Sequence, residues 1–284
     1  MNVVGLSLTA DTGEIPTMKA STQKLLNAIN ARDVAGVKNT FKNGADANDP
    51  EFIRGNSENL SLLHHAIVTC REDAPVIAEA LLDGGADIEF QGGYNATALH
   101  RAVYNDIGDG LATAALLIRR GADASLYDKE GLSPCEAAIS NGNEEAVFAM
   151  LRNGLSADTG GAAGPLVWYT AYEAPEVLAE LLARGANPDS ASYRAEQSSL
   201  HRAAEAITGY FEKSPASMTA EDASVQCFCL LVKAGANQEA EDDDGRTPWE
   251  MLGDLAGPVR AMIEKQDLDI PTQIANAHLS PKII

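Results

Sequence analysis

Apolar residues along the chain fall into short helical stripes that alternate with brief turns rich in Gly, Asp and Asn. The stripes start at leucines such as Leu63, Leu99, Leu166 and Leu200, and small residues follow them, among them Ala66, Ala102, Ala137, Ala138, Ala203 and Ala204. Side chains of that size let neighbouring helix axes come close together. Two signals punctuate the pattern. A tripeptide closes one set of helices: Gly44-Ala45-Asp46, Gly85-Ala86-Asp87, Gly121-Ala122-Asp123, Gly185-Ala186-Asn187 and Gly235-Ala236-Asn237, with a degenerate copy at Gly154-Leu155-Ser156. Its glycine permits the left-handed cap that ends a helix. A tetrapeptide opens the other set: Ser61-Leu62-Leu63-His64, Thr97-Ala98-Leu99-His100, Ser133-Pro134-Cys135-Glu136, Ser198-Ser199-Leu200-His201 and Thr247-Pro248-Trp249-Glu250. There Ser or Thr caps the helix, and Pro, where present, is preset for the first turn. The alternation of the two signals predicts a repeating array of helix pairs over nearly the whole chain.

These motifs resemble the ankyrin-repeat unit, which reads roughly D-x-x-G-x-T-P-L-H-x-A-A and then a second helix ending L-L-x-x-G-A-D-x-N. Asp128-Lys129-Glu130-Gly131-Leu132-Ser133-Pro134 and Asp242-Asp243-Asp244-Gly245-Arg246-Thr247-Pro248 match its opening closely. The resemblance covers residues 22–266 and implies an all-α solenoid of helix-turn-helix units with β-turn fingers. It gives about seven repeats including degenerate caps, near 22–55, 56–91, 92–127, 128–158, 159–192, 193–241 and 242–266. Residues 1–21 form an N-terminal extension and 267–284 a C-terminal tail.

From the His-equivalent position to the next closing Gly the unit needs 18 residues, and 136 to 154 and 167 to 185 keep that spacing. The spans 64 to 85 and 100 to 121 are 21, and 201 to 235 is 34, so the extra residues fall between the two helices of a repeat. Within the longest addition, Thr219-Ala220-Glu221-Asp222 resembles a capping box that restarts the second helix. Both helices of that repeat are therefore expected to be longer. The first finger, around Asn48 to Leu60, is five residues over the norm, and repeat five carries Tyr169 where a small residue is usual.

Composition sharpens the picture. There are 47 Ala against only 15 Phe, Trp or Tyr, which suits thin stacked helices better than a bulky core. Asp and Glu number 41 against 21 Lys and Arg, a net charge of −20 that argues against nucleic acid as a partner. No apolar run approaches the ~18 residues that span a bilayer, so no membrane partner is expected. Met1 to Ala20 lack a Lys/Arg-rich start, and no secretory leader is expected. Cys70, Cys135, Cys227 and Cys229 sit inside apolar helices with no disulfide or zinc spacing, which points to reduced core thiols and a cytoplasmic site.

The residues offer little for catalysis. His64, His100 and His201 occupy a slot where, by the resemblance, the ring bonds the cap hydroxyl and the neighbouring finger's backbone. The run Asp158 to Gly164 is glycine-rich but lacks the Gly-Lys-Ser/Thr ending of a phosphate loop, and reads as a shortened finger. Asp242-Asp243-Asp244 lacks the terminal Glu of a calcium loop. Metal-protease and serine-hydrolase motifs are missing, so neither an enzyme nor a cofactor is expected.

Function is then expected on surface positions that the fold leaves free. Carried over from the resemblance, these are Tyr94, Asn95, Tyr104, Asn105, Lys129, Glu130, Ser140, Asn141, Tyr172, Arg194, Gln197, Glu205, Asp243, Asp244 and Arg246, and the acidic run Glu239 to Asp244 adds Asp242. Tyr and Arg are common anchors at interfaces. An extended concave face of this kind implies a non-enzymatic module that binds a protein partner and is monomeric when alone. Part of the negative charge belongs to the Asp of each Gly-Ala-Asp, which leaves Glu239 to Asp244, five carboxylates in six positions, as a local excess. That excess suggests a basic partner steered by charge. The alternative it raises is an acidic stoichiometric inhibitor or immunity protein that neutralises a basic toxin or nuclease.

Overall fold

Six capped turns decide where the helices stop and start. At Gly44, Gly85, Gly121, Gly154, Gly185 and Gly235 the backbone enters the left-handed region, with φ between 78° and 111°. The next residue then donates its N–H back over the last helical turn, as from Ala86 to Leu81 at 3.0 Å and from Ala236 to Leu231 at 3.0 Å. This is the Schellman closure that glycine makes possible. Leu155 donates to Met150 at 3.1 Å in the same way, so the degenerate tripeptide keeps the geometry without the Ala and the Asp. The third position of each tripeptide builds the following turn through a side-chain oxygen: Asp87 accepts from Glu89 N–H at 3.0 Å and Asn237 from Glu239 N–H at 3.1 Å. An amide does this as well as a carboxylate, so those aspartates serve as turn builders.

The computed structural model describes residues 18–56, 58–104, 110–161, 164–193, 197–211 and 217–265. Among them there is no strand, and isolated bridges join Gly160 to Pro165 and Ala191 to Ser198. The chain divides into two compact units, Met1–Leu155 and Ser156–Ile284, a boundary that falls inside the degenerate tripeptide.

In the first unit, α1 (Ala20–Asn30) pairs with α2 (Val34–Lys42), α4 (Leu62–Thr69) with α5 (Ala74–Asp83), α6 (Ala98–Tyr104) with α7 (Gly110–Arg119), and α8 (Pro134–Ser140) with α9 (Glu144–Arg152). The first helices form one row, α1 on α4, α4 on α6 and α6 on α8, and the second helices form another, from α2 to α9. Leu63, Ala66 and Ile67 on α4, and Leu99, Ala102 and Val103 on α6, are at most 1% exposed. The alanines leave room for the next helix while the branched residues fill the space between rows. The long first finger, which the spacing showed only as extra length, folds as a short helix, α3 (Pro50–Gly55). Its cap Asp49 is buried, accepts a hydrogen bond from Glu51 N–H at 2.9 Å and another from the Thr22 hydroxyl of α1.

The second unit repeats the scheme. Here α10 (Leu166–Thr170) pairs with α11 (Pro175–Ala183), α12 (Ser199–Phe211) with α13 (Ala223–Lys233), and α14 (Pro248–Leu252) packs on α12 and on α15 (Ala256–Lys265). With 13 and 11 residues, α12 and α13 are the long pair expected from the 34-residue spacing. The box at Thr219 closes, its N–H and hydroxyl both reaching Asp222, but it forms a turn and the helix itself begins at Ala223.

Neighbouring turns are stitched by side chains. Asn48 donates to the Gly85 carbonyl and accepts from Asp87 N–H, both at 2.8 Å, while Glu89 accepts from Asp123 N–H at 2.7 Å. In the second unit Asp189 accepts from Asn237 N–H at 2.6 Å. No helix among the described residues is long and apolar enough to cross a membrane.

Candidate functional site

The polar residues buried at the helix starts are committed to the fold. His64 receives the Ser61 hydroxyl at Nδ1 (2.8 Å) and donates from Nε2 to the Ala96 carbonyl of the next finger (2.9 Å). His100 does the same between Thr97 (2.9 Å) and Leu132 (3.0 Å), and His201 between Ser198 (2.8 Å) and Arg246 (2.9 Å). A carbonyl at Nε2 requires the proton there, which leaves Nδ1 of each ring to pair with the cap hydroxyl. Burial lowers the His64 pKa from 6.5 to about 4 and lowers that of His100. Where Glu replaces His, at Glu136 and Glu250, the carboxylate folds back onto the cap N–H of Ser133 or Thr247 in a capping box. All four cysteines are buried, and burial pushes the Cys229 thiol up to about 11 and raises those of Cys70 and Cys135, so these three are poor nucleophiles. Among the described residues no group of three His, Cys, Asp or Glu could hold a metal.

The fingers are built in two ways. In Asp128–Leu132 and Asp242–Arg246 one carboxylate makes the turn. Asp128 Oδ1 accepts the N–H of Glu130 (2.9 Å) and Leu132 (3.1 Å), and Asp242 Oδ1 those of Asp244 (3.0 Å) and Arg246 (2.9 Å). Gly131 and Gly245 supply the positive φ, 82° and 73°. Asp242 is buried, and Arg246 bonds both its carboxylate (2.9 Å) and that of Asp244 (2.8 Å). The three aspartates expected as an open acidic surface therefore include one turn builder and one carboxylate shared with an arginine.

Gly92–Ala96 closes the same backbone bonds without an aspartate: Gly92 N–H reaches the Ala96 carbonyl at 3.0 Å and Asn95 N–H the Gly92 carbonyl at 3.0 Å. Two consecutive side-chain-bearing residues, Tyr94 (φ 65°) and Asn95 (φ 55°), take left-handed backbone here. For Asn this is tolerable, but for Tyr it costs on the order of 1 kcal/mol. Gly93 is required beside them, because a Cβ there would lie 2.5 Å from the Glu58 carbonyl oxygen.

The neighbouring finger holds that turn in place. Lys129 N–H donates to the Tyr94 carbonyl (2.8 Å), and its ammonium sits 3.5 Å from the centre of the Tyr94 ring. Gln91 donates to the carbonyls of Asn95 (3.1 Å) and Tyr127 (3.2 Å). The result is a cross-linked finger pair carrying Tyr94, 58% exposed, and Tyr127, 56% exposed. Tyr104 instead turns its hydroxyl onto Asp128 Oδ2 at 2.9 Å and braces the finger.

Other expected residues scatter. Glu130, Ser140 and Asn141 are exposed; Asn141 caps α8 and bonds the Ala137 carbonyl. Gln197 accepts Ser192 N–H through its backbone. Asn105 and Arg194 lie outside the described residues. In the second unit, Tyr172 and Glu205 are brought together by Arg202, a residue the sequence did not single out. Its guanidinium lies 4.3 Å from the Tyr172 ring centre and 4.9 Å from that of Trp168, and donates to Glu205 at 2.7 Å. Tyr210 packs 6.1 Å from Tyr172 and donates its hydroxyl to Glu173 at 2.8 Å, a bond that pushes the phenol up to about 12. Tyr127 was also missed, because it precedes the aspartate where the finger motif starts.

No protein-family model matches the chain. An Arabidopsis thaliana ADP-ribosylation factor GTPase-activating protein, AGD2, is 36% identical over 96 residues, 33% of this chain and 12% of that protein. The putative palmitoyltransferase ZDHHC13 of Danio rerio is 26% identical over 223 residues, 78% of this chain and 31% of its own length. The chain thus spans about a third or less of these curated relatives. Among solved structures, the ankyrin repeat domain of human ASB11 superposes with a TM-score of 0.55 at 21% identity, covering 84% of this chain and 96% of that one. The ankyrin repeat domain of Bcl-3 gives 0.62 at 18% identity, covering 84% and 97%. These likenesses show that the chain has the ankyrin-repeat fold.

Proposed function

We propose that this ankyrin-repeat chain is a non-enzymatic module that binds another protein, and that the cross-linked finger pair of the first unit is its main contact. The observation that carries the reading is the Tyr94 turn. An exposed tyrosine kept in left-handed backbone is strain that folding alone does not explain. Fixing the turn from the adjacent finger means that little freedom is lost when a partner arrives. Tyr94 and Tyr127 supply the aromatic area that dominates protein contacts. The buried histidines bond the fold through both ring nitrogens, and burial raises the thiols of Cys70, Cys135 and Cys229, which supports a binding role over a chemical one.

The acidic-inhibitor reading rests on the excess at Glu239 to Asp244, and Asp242 and Arg246 take up part of that charge internally. A basic partner fits better through individual carboxylates than through that run. The test is affinity capture from native extract on the immobilised chain, with free wild-type chain as competitor. Capture of a competable protein that the Tyr94→Ala, Tyr127→Ala double variant no longer retains is the expected result. Equal retention by that variant would overturn the assignment of the fingers, and the lack of any competable protein would overturn the module reading itself.

A further inference from the structure

In the second unit, α10, the turn that follows it and α12 put aromatic rings and carboxylates side by side, and one arginine of the chain already occupies part of that surface. Arg202 lies against Trp168 and Tyr172, with Glu205 accepting its N–H at 2.7 Å. Its charge is thereby matched and its side chain is three-quarters buried. Tyr210, one ring further on, is 52% exposed and carries no cation on its face among the described residues. Its hydroxyl is tied to Glu173, an exposed carboxylate that forms no ion pair among the described residues. Among the described residues, a ring face and a carboxylate that hold no cation therefore stand beside a ring and carboxylate that hold a guanidinium.

We infer that Tyr210 and Glu173 form a subsite for an arginine side chain of a protein partner, which stacks on the open face of Tyr210 and donates its N–H groups to Glu173. The inference rests on the protein-binding reading and adds the chemistry of one contact. The internal Arg202 stack shows the mode: a planar cation over a tyrosine face with one carboxylate at its edge. A guanidinium suits the geometry better than an ammonium because it stacks and donates at once. The bond to Glu173 fixes the Tyr210 ring before a ligand arrives, and the net charge of −20 favours approach of a cationic segment.

The probe is a capped decapeptide of alternating arginine and glycine, titrated calorimetrically into the full chain at physiological ionic strength. Its twin carries citrulline, which keeps the shape and loses the charge. The arginine peptide should bind at least about tenfold more tightly than the twin. Tyr210→Ala and Glu173→Gln should each weaken it about fivefold or more, with unchanged thermal unfolding because both side chains are exposed. Glu239→Gln with Glu241→Gln should change it less than about twofold. Equal losses from the two carboxylate sets would mean diffuse attraction and overturn the subsite, as would equal affinity for the twin or no binding of either peptide. Failure of the peptide while native capture succeeds sinks the subsite alone, whereas failure of the capture sinks the module.

Discussion

The Gly92–Ala96 and Asp242–Arg246 fingers close the same pair of backbone bonds and end on the same kind of anchor, a histidine Nε2 donating to the last carbonyl. They differ in what makes the turn. In the last finger a buried carboxylate gathers two N–H groups and an arginine, so its acidic residues serve their own loop. In the other the aspartate is missing, two residues take left-handed backbone, Lys129 of the adjacent finger holds the Tyr94 carbonyl, and Gln91 holds that of Asn95. The first arrangement is locally complete, while the second leaves a rigid aromatic ring at the surface. A charged sequence is thus no guide to a charged surface where the charges build turns.

The largest expected effect concerns the anchor of the tyrosine finger. His64 is buried and neutral, with its pKa lowered from 6.5 to about 4 by burial. The unfolded chain therefore binds a proton at higher pH than the folded one, and the stability from neutral His64 is complete above 6.5 and lost as pH falls towards 4. The loss approaches roughly 3 kcal/mol, to be read from urea unfolding midpoints across that window. His64→Gln should lower stability at neutral pH and flatten this dependence; an unchanged slope would place the acid sensitivity elsewhere.

Next in size is the carboxylate that builds the last finger. Asp242→Ala should cost about 2 kcal/mol, because it strips acceptors from two backbone N–H groups at a buried position. Asp242→Asn keeps an oxygen there and should cost less than about 1 kcal/mol. Equal losses would mean that charge, and not the acceptor, holds this turn. Smaller still is Tyr94→Gly, which relieves about 1 kcal/mol of left-handed strain and gives up a comparable stack with Lys129. Its unfolding free energy should stay within about 0.5 kcal/mol of wild type while partner binding falls. The smallest effect is expected for Asp243→Asn with Asp244→Asn, which should slow partner association less than about twofold.

Much of the fold was legible because its rules are local. A glycine that must turn left, a hydroxyl that must cap and a histidine that must bridge to the next finger each leave a residue at a fixed spacing. Gly154-Leu155-Ser156 shows how little of the motif is needed, since the closure survives on the glycine alone. The helix in the first finger was hidden because its stabilising partner, Thr22, lies 27 residues from Asp49. The site was less legible for a similar reason. Tyr94 and Lys129 each read as surface positions in the sequence, but their stacking depends on contact between fingers 35 residues apart. Arg202 escaped notice because a residue following the motif histidine has no distinctive neighbours until α10 supplies Trp168. Asp242 was misread as open charge because a carboxylate that builds a turn and one that faces water look alike in a string of letters.

In the proposed function the aromatic finger pair, and not the acidic finger, carries partner binding. The direct measurement is the dissociation constant of the captured partner for wild type, for Tyr94→Ala with Tyr127→Ala, and for Asp243→Asn with Asp244→Asn. The expected loss is at least about tenfold for the tyrosine pair and less than about twofold for the aspartate pair. The reverse order, with the tyrosine pair neutral and the aspartate pair crippled, would contradict it.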